Sequence, residues 1–272
     1  MKWQKEAEKA VRNVPFFVRK RVKKRVEEEA SRRGSAVVTM EHVNSCRQRF
    51  LNRMEEEVKG YQVETCFGPS GCPNRAVAWD DLAPKLEGIL EERRLREFLE
   101  ERVSGTLKMH HEFRVSCSDC PNACSRPQIA DVGLIGASRP RMTEEECTEC
   151  EACVEACKEG AIVLREGRPV IDFEKCLDCG QCIRACPTGT LEEGERGYRF
   201  LVGGRLGRHP SLAQELPGLH DEESVLRLLQ RCLDHYQGHC LEGERFGTIL
   251  ERTGVEWLAQ KARGRESAGG DG

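Results

Sequence analysis

Two runs of cysteine limit what this chain can fold into more than any other feature. The first is Cys147, Cys150, Cys153 and Cys157; the second is Cys176, Cys179, Cys182 and Cys186, followed by Pro187. Both have the spacing C-x2-C-x2-C-x3-C. That spacing wraps three thiolates around one corner of a cubane 4Fe–4S cluster and sends the fourth to a second cluster. Cys147, Cys150, Cys153 and Cys186 are therefore assigned to one cluster, and Cys157, Cys176, Cys179 and Cys182 to the other. A zinc site does not require a duplicated four-cysteine run.

Sixteen cysteines in 272 residues would also suit a secreted disulfide scaffold, so the compartment matters. The start, Met1-Lys2-Trp3-Gln4-Lys5-Glu6, has no apolar signal core. No stretch approaches the apolar length of a membrane-spanning helix. The reading is cytoplasmic, with reduced thiols that serve mostly as metal ligands. A third of the residues are charged but the net charge is only −3, which argues against nucleic-acid binding through bulk charge. With 38% hydrophobic and 6% aromatic residues, the core should be small for the length and bound metal should help to hold it.

Residues 3–57 read as helical. Val18, Val22, Val26 and Ala30 form one apolar stripe, and Arg19, Lys20, Arg21, Lys23, Lys24 and Arg25 occupy the other faces. Gly34 and Ser35 break this helix, and a second runs from about Glu41 to Lys59. A polar helix is expected near 84–103, with Leu86, Leu90, Leu95, Leu99 and Val103 inward. From Thr106 to Ser116 the period becomes two. Leu107, Met109, His111, Phe113 and Val115 then share one face of a strand, and Lys108, His110, Glu112 and Arg114 the other. Tyr198, Phe200 and Val202 alternate as a short strand. Helices are expected at about 221–236 and 244–261, and the tail from Gly264 reads as disordered.

The duplicated run resembles a bacterial dicluster ferredoxin, with Lys158 where the pattern has Pro after the first run. Ferredoxins carry electrons and make no bonds, so an acceptor is expected elsewhere in the chain. Cys66-x5-Cys72 and Cys120-x3-Cys124 lie outside the run, and four thiolates can hold a third 4Fe–4S cluster.

The residues around these four carry a further resemblance. Cys120-Pro121-Asn122-Ala123-Cys124-Ser125-Arg126-Pro127 is followed by Asp131-Val132-Gly133-Leu134-Ile135-Gly136. This resembles the cluster-binding half of the sulfite and nitrite reductase haemoprotein family. Cys66-Phe67-Gly68-Pro69-Ser70-Gly71-Cys72-Pro73-Asn74 is similar to its C-x5-C partner, and Tyr198 through Pro210 to its later strand and basic loop. The resemblance implies a cubane bridged to sirohaem iron by Cys124, and six-electron reduction of sulfite, with nitrite a close second substrate.

Such a site needs cations for the oxyanion, for the carboxylates of the macrocycle and for protons. The catalytic candidates are Arg126, Lys108, His110 and Arg114. Arg126, Arg205, Arg208 and His209 are candidates to hold the macrocycle. A solvated strand face or a plain surface turn is the alternative use of these side chains. Cys46, Cys232 and Cys240 read as structural thiols, and Cys117 as spare.

Trp3, Glu6, Ala7 and Pro15-Phe16-Phe17-Val18-Arg19-Lys20 resemble the small C-terminal domain of a light-independent protochlorophyllide reductase subunit. The basic face at 19–25 would then lie over tetrapyrrole carboxylates or bind a partner, or simply be solvated. The expected fold is α+β, a sulfite-reductase-like mixed sheet with helices. Residues 1–60 form a helical cap, 61–137 with 194–262 the reductase-like domain, 138–193 an inserted dicluster ferredoxin, and 263–272 a tail. The expected donor is a reduced ferredoxin-like protein or partner redox subunit, with sulfite as substrate, no nucleic acid or membrane, and homo-oligomerisation possible. The rival readings are a sirohaem-free electron-transfer subunit and a tetrapyrrole-handling protein.

Overall fold

The structure, a computed structural model, describes residues 1–56 and 58–259; the tail expected from Gly264 lies outside them. It divides into two units, Met1–Lys59 with Thr106–Lys108, and Gly60–Gly105 with Met109 onward.

In the first unit, strands β1 (Lys2–Trp3) and β2 (Val37–Val38) pair in parallel beside helices α1 (Lys5–Arg12), α2 (Phe16–Arg32) and α3 (Met40–Glu56). The apolar stripe of α2 meets the core as expected. Val26 and Ala30 are buried with Ala7 and Val38, and Trp3, Val22, Met40, Val43 and Cys46 pack around them. Val18 and Cys46 are only half-buried. Lys20, Arg21, Lys24 and Arg25 face solvent.

The second unit is built on a five-stranded mixed sheet. Its spatial order is β3 (Tyr61–Thr65), β4 (Phe113–Ser118), β5 (Val132–Met142), β8 (Leu191–Val202) and β9 (Gln214–Glu215). The first three are parallel and the last two antiparallel. Helices α4 (Leu82–Glu92), α5 (Leu95–Glu100), α8 (Glu222–His239), α9 (Phe246–Thr253) and α10 (Glu256–Ala259) accompany it. Leu86, Leu90, Val225, Leu229, Leu233, Tyr236, Phe246 and Ile249 are buried, as are Phe113, Val115, Leu134, Phe200 and Val202 of the strands. Phe113 stacks obliquely on Tyr236 and Phe246, ring centroids 5.1 and 5.5 Å away. Asp221 caps α8 by accepting from Ser224 N at 2.8 Å. Between β5 and β8 come the short helices α6 (Ala152–Ala156) and α7 (Gln181–Ala185) and the hairpin of β6 (Ile162–Arg165) and β7 (Arg168–Ile171).

Three expectations are corrected. The helix at 84–103 is two helices. Leu86 to Leu90 is a step of four, but Leu90 to Leu95 is a step of five. A continuous helix would turn Leu95 off the core face, so the chain breaks at Arg94, whose φ is 49°, and all four leucines stay buried. The helix at 244–261 likewise breaks, at Gly254 with φ 74°. The strand at 106–116 begins only at Phe113. Its partner β3 starts at Tyr61, paired with Phe113, so earlier residues have no ladder to join. Met109–His111 form a 3-10 turn instead.

Glu29 of α2 is a buried carboxylate whose side chain is 1% exposed. It accepts from Arg32 and Arg33 at 2.8 Å each and pairs with Arg49 at 2.5 Å. The hydrogen bond from Arg49, with the help of Arg33 and the charge of Arg32, outweighs burial and lowers its pKa from 4.5 to about 2. A depressed carboxylate pKa stabilises the fold fully above the unfolded value and ceases to as pH falls through the folded one. The first unit should therefore lose stability between about pH 4.5 and pH 2. In Glu29→Gln that acid-dependent loss should largely vanish and the unit should be weaker at neutral pH. Hydrogen exchange of the α2 and α3 amides against pH checks both.

Candidate functional site

The two cysteine runs adopt the same local structure twice. In each, the residue before the second cysteine and the residue after it are left-handed: Glu149 and Glu151 at φ 53° and 56°, Asp178 and Gly180 at 53° and 69°. A one-turn helix follows, α6 in the first and α7 in the second, and carries the third cysteine inward. Cys153 and Cys182 are buried, 6% exposed each, in a small core with Ile162 and Leu191.

The electrostatic neighbourhoods are crossed between the runs. Burial pushes the Cys153 thiol up, and negative charge on Cys186 and Cys147 adds to it. Burial pushes Cys182 up to about 12, with added charge from Cys176, Cys179 and Cys157. Charge on Cys186 thus reaches Cys153 of the first run and charge on Cys157 reaches Cys182 of the second, as the crossed assignment expects.

Backbone N–H groups are aimed at the sulfurs. Glu149 N donates to Cys147 Sγ at 3.4 Å, Ala161 N to Cys157 Sγ at 3.3 Å, Asp178 N to Cys176 Sγ at 3.4 Å and Leu191 N to Cys186 Sγ at 3.5 Å. Sulfur accepts such bonds well as a thiolate, and buried thiolates need the positive charge of bound metal. The residues present fit a pair of iron–sulfur clusters.

The third set sits where parallel strands direct it. Thr65, the last residue of β3, pairs with Cys117 near the end of β4. The loops that follow leave the same sheet edge and carry Cys66 and Cys72 on one and Cys120 and Cys124 on the other. Burial raises the Cys120 thiol, and the charges of Cys124, Cys66 and Cys72 raise it further, so the other three lie within reach of its charge. Cys66 Sγ accepts from Gly68 N at 3.2 Å and Asp119 N at 3.3 Å. Asn122 Nδ2 donates to Cys124 Sγ at 2.9 Å. This set fits a cluster by the same criterion, and Cys124 is exposed, as an approachable bridging sulfur requires. Cys117 instead lies buried within β4, its thiol pushed up to about 12 by burial.

The second loop is pressed onto the sheet. A Cβ on Gly133 would collide with Pro127 O, and one on Gly136 would stand 2.5 Å from Asp119 O. Ser125 fastens the loop to β4: its hydroxyl donates to Cys117 O at 2.8 Å and its N–H to Ser118 Oγ at 3.1 Å. Ser116 Oγ donates to Ser125 O at 2.7 Å.

The candidate cations are scattered by comparison. Arg114, on β4, donates to Glu64 Oε1 at 2.8 Å. Exposed Arg126 lies 4.0 Å from the other oxygen of Glu64. Lys108 and His110 are exposed and precede the strand, so the shared strand face expected for Lys108, His110 and Arg114 does not form. Arg205 turns inward, donating to His209 O at 2.9 Å and pairing with Glu251; Arg208 and His209 are exposed. A cleft of about 840 Å³ lined by Arg139, Met142, Val170, Phe173 and Glu195 holds none of the third-set cysteines.

Asp119, Ser125, Arg75 and Tyr198 escape the sequence reading as site residues. The second run also touches the third set's loop: Gln181 Nε2 donates to Asn74 Oδ1 at 3.0 Å and Arg184 Nη1 to Arg75 O at 2.8 Å. Ser138 of β5 bridges to Cys179, and its N–H donates to Asp178 O at 2.7 Å.

Residues 62–268 match the model of the nitrite and sulphite reductase 4Fe-4S domain. Residues 3–47 match that of the proto-chlorophyllide reductase 57 kD subunit. The chain is 32% identical over 191 residues to a coenzyme F420-dependent sulfite reductase of Methanocaldococcus jannaschii, covering 70% of this chain and 28% of that one. It is 36% identical over 147 residues to a subunit of the anaerobic sulfite reductase of Salmonella typhimurium, covering 47% and 39%. The chain thus spans well under half the length of these relatives. A dissimilatory sulfite reductase crystal structure aligns over 77% of this chain and 54% of that one, at 18% identity and a TM-score of 0.49.

The crossed arrangement predicts crossed damage. Cys157→Ser should perturb the cluster signal of the second run, and Cys186→Ser that of the first. Electron paramagnetic resonance of the reduced proteins, beside Cys153→Ser and Cys182→Ser as references, checks this.

Proposed function

Because the chain belongs to the nitrite and sulphite reductase 4Fe–4S family, we propose that it reduces sulfite to sulfide at a sirohaem coupled to a cluster on Cys66, Cys72, Cys120 and Cys124. Electrons reach that centre through two ferredoxin-type clusters. The observation that carries this reading is the seam just described, where the helix bearing Cys182 meets the loop bearing Cys72. Both cysteine systems belong to one unit, as a route for electrons between them requires.

Sirohaem would supply an iron at which a bound oxyanion accepts six electrons without release of intermediates. The chain's own part is to bind and orient. Cys124 offers an exposed sulfur, and the Asn122 amide fixes its direction. Arg126 and Arg114 stand on the same side of the sheet edge as cations for an oxyanion or for macrocycle carboxylates, with Glu64 holding both. An incoming anion must compete with that carboxylate, which lowers affinity and sharpens the demand for charge. Arg208 and His209 remain available to macrocycle carboxylates, whereas Arg205 braces the loop that carries them. A site completed by dimerisation would cover Cys124, which is exposed in the single chain. The donor, a reduced ferredoxin-like protein or a partner redox subunit, meets the first cysteine run, whose Cys150 is exposed.

The pairing of Glu64 with Arg114 and Arg126 favours one other reading, an electron-transfer subunit with three clusters and no macrocycle. Among the described residues no helix is long and apolar enough to cross a membrane.

The deciding experiment is the visible spectrum of anaerobically purified protein, with iron and acid-extracted tetrapyrrole quantified. One macrocycle per chain, with iron for three cubanes and a haem, is expected. Cubane iron without macrocycle, from a host that makes sirohaem, would leave the electron-transfer reading. Cys124→Ala should lose the macrocycle while keeping the ferredoxin-type signals. In steady-state sulfite assays, Arg114→Ala should lower kcat/KM by roughly tenfold to a hundredfold, and Glu64→Gln should lower KM.

A further inference from the structure

Asp119 stands between the end of β4 and Cys120, and it is buried, 4% exposed. All of its polar atoms are engaged. Oδ1 accepts from the Tyr198 hydroxyl at 2.9 Å and Oδ2 from Arg75 Nε at 2.7 Å. Its N–H donates to Cys66 Sγ at 3.3 Å. Its carbonyl accepts from Ala76 N at 2.8 Å and Val77 N at 3.1 Å. One residue of the C-x3-C loop therefore holds the C-x5-C loop at both ends, next to Cys66 and just beyond Cys72.

The network continues outward. The Arg75 side chain, 17% exposed, also pairs with Asp80 at 2.6 Å. The Arg75 carbonyl takes Arg184 of α7, and the neighbouring Asn74 takes Gln181 of the same helix. On the opposite side, Gly136 of β5 lies against the Asp119 carbonyl, two residues before Ser138 meets Cys179. Both flanks of Asp119 lead to the second ferredoxin-type run.

We propose that Asp119 is a positioning residue that locks the two third-set cysteine loops together and, through Arg75, registers them against helix α7. The proposal rests on the reading that the third set holds a 4Fe–4S cluster. The physical basis is the cost of a buried carboxylate. Burying an ion pair rarely stabilises a fold beyond what apolar packing offers, whereas removing one partner leaves an uncompensated charge. In Asp119→Asn the shape persists and Tyr198 keeps an acceptor, but Arg75 loses its buried counter-charge and keeps only the exposed one of Asp80. The Arg75 backbone is then free to shift, and with it the carbonyl that receives Arg184.

The test uses the full chain, purified anaerobically with its clusters. Redox titration followed by electron paramagnetic resonance reads each cluster separately, chelator challenge reads iron release, and hydrogen exchange reads the backbone. For Asp119→Asn the third cluster's midpoint potential and line shape should shift, and its iron should leave about tenfold faster or more. The two ferredoxin-type signals should stay as in wild type. Amides of 74–77 and 181–186 should exchange faster together. Tyr198→Phe, which keeps the ion pair, should shift the third signal less and in the same direction. Should Asp119→Asn fail to accumulate, Tyr198→Phe and Arg75→Lys decide by the same readouts. A third cluster unchanged in potential, line shape and iron release would overturn the proposal. So would equal changes in all three clusters, the mark of general loosening. Wild-type protein that holds iron for two clusters only overturns the underlying reading, and does so before any variant is made.

Discussion

The parallel pairing of β3 with β4, with Thr65 against Cys117, is the constraint on which the site depends. Parallel strands send their following loops off the same sheet edge, which is where open sheets of this kind bind ligands. Here that geometry delivers four cysteines from two distant stretches of chain to one place. An antiparallel pairing would have put the two loops at opposite ends. Parallel strands also need long returns, and the return between β3 and β4 contains α4 and α5, whose leucines cover the sheet. The same connection that makes the cysteines converge therefore supplies part of the hydrophobic core beneath them.

Charge sets the next level of organisation. Burial raises the thiols of Cys120, Cys153, Cys176 and Cys182, with Cys176 reaching about 11. Each of these groups is disfavoured as an anion without a compensating positive charge, so clusters bound there, as proposed, would couple their assembly to folding of the cysteine loops. The surrounding N–H groups are already aimed at sulfur, which lowers the reorganisation needed when the thiolates form. The contrast with Cys232 is one of setting: it is fully buried among the apolar side chains of α8, and burial alone pushes its thiol up.

What the sequence reveals follows from which interactions are local. The C-x2-C-x2-C-x3-C runs are legible because ligand spacing within one loop is a local property, and the repeat even duplicates its left-handed positions. The stripe Val22–Val26–Ala30 is legible for the same reason. The strand at 106–116 is misread because alternation shows only that a segment could be a strand; a partner beginning at Tyr61 decides where it starts. The break at Arg94 is visible in principle, in the five-residue step from Leu90 to Leu95. Asp119 is not, since its partners Arg75 and Tyr198 lie 44 and 79 residues away. The pairing of Glu64 with Arg114, 50 residues apart, is hidden likewise, and it changes the electrostatic character of the candidate cations.

The ladder between β5 and β8 carries a consequence of its own. Met142 pairs with Leu191, so the chain leaves the sheet and re-enters it at adjacent points on neighbouring strands. Topologically, everything between them occupies the position of a hairpin turn. A segment whose ends already meet closes no large loop in the host sheet and can be gained, lost or exchanged without rethreading it. The segment with the two cysteine runs is in that sense a plug-in cassette, tied to the host sheet by the contacts of Gln181, Arg184 and Ser138.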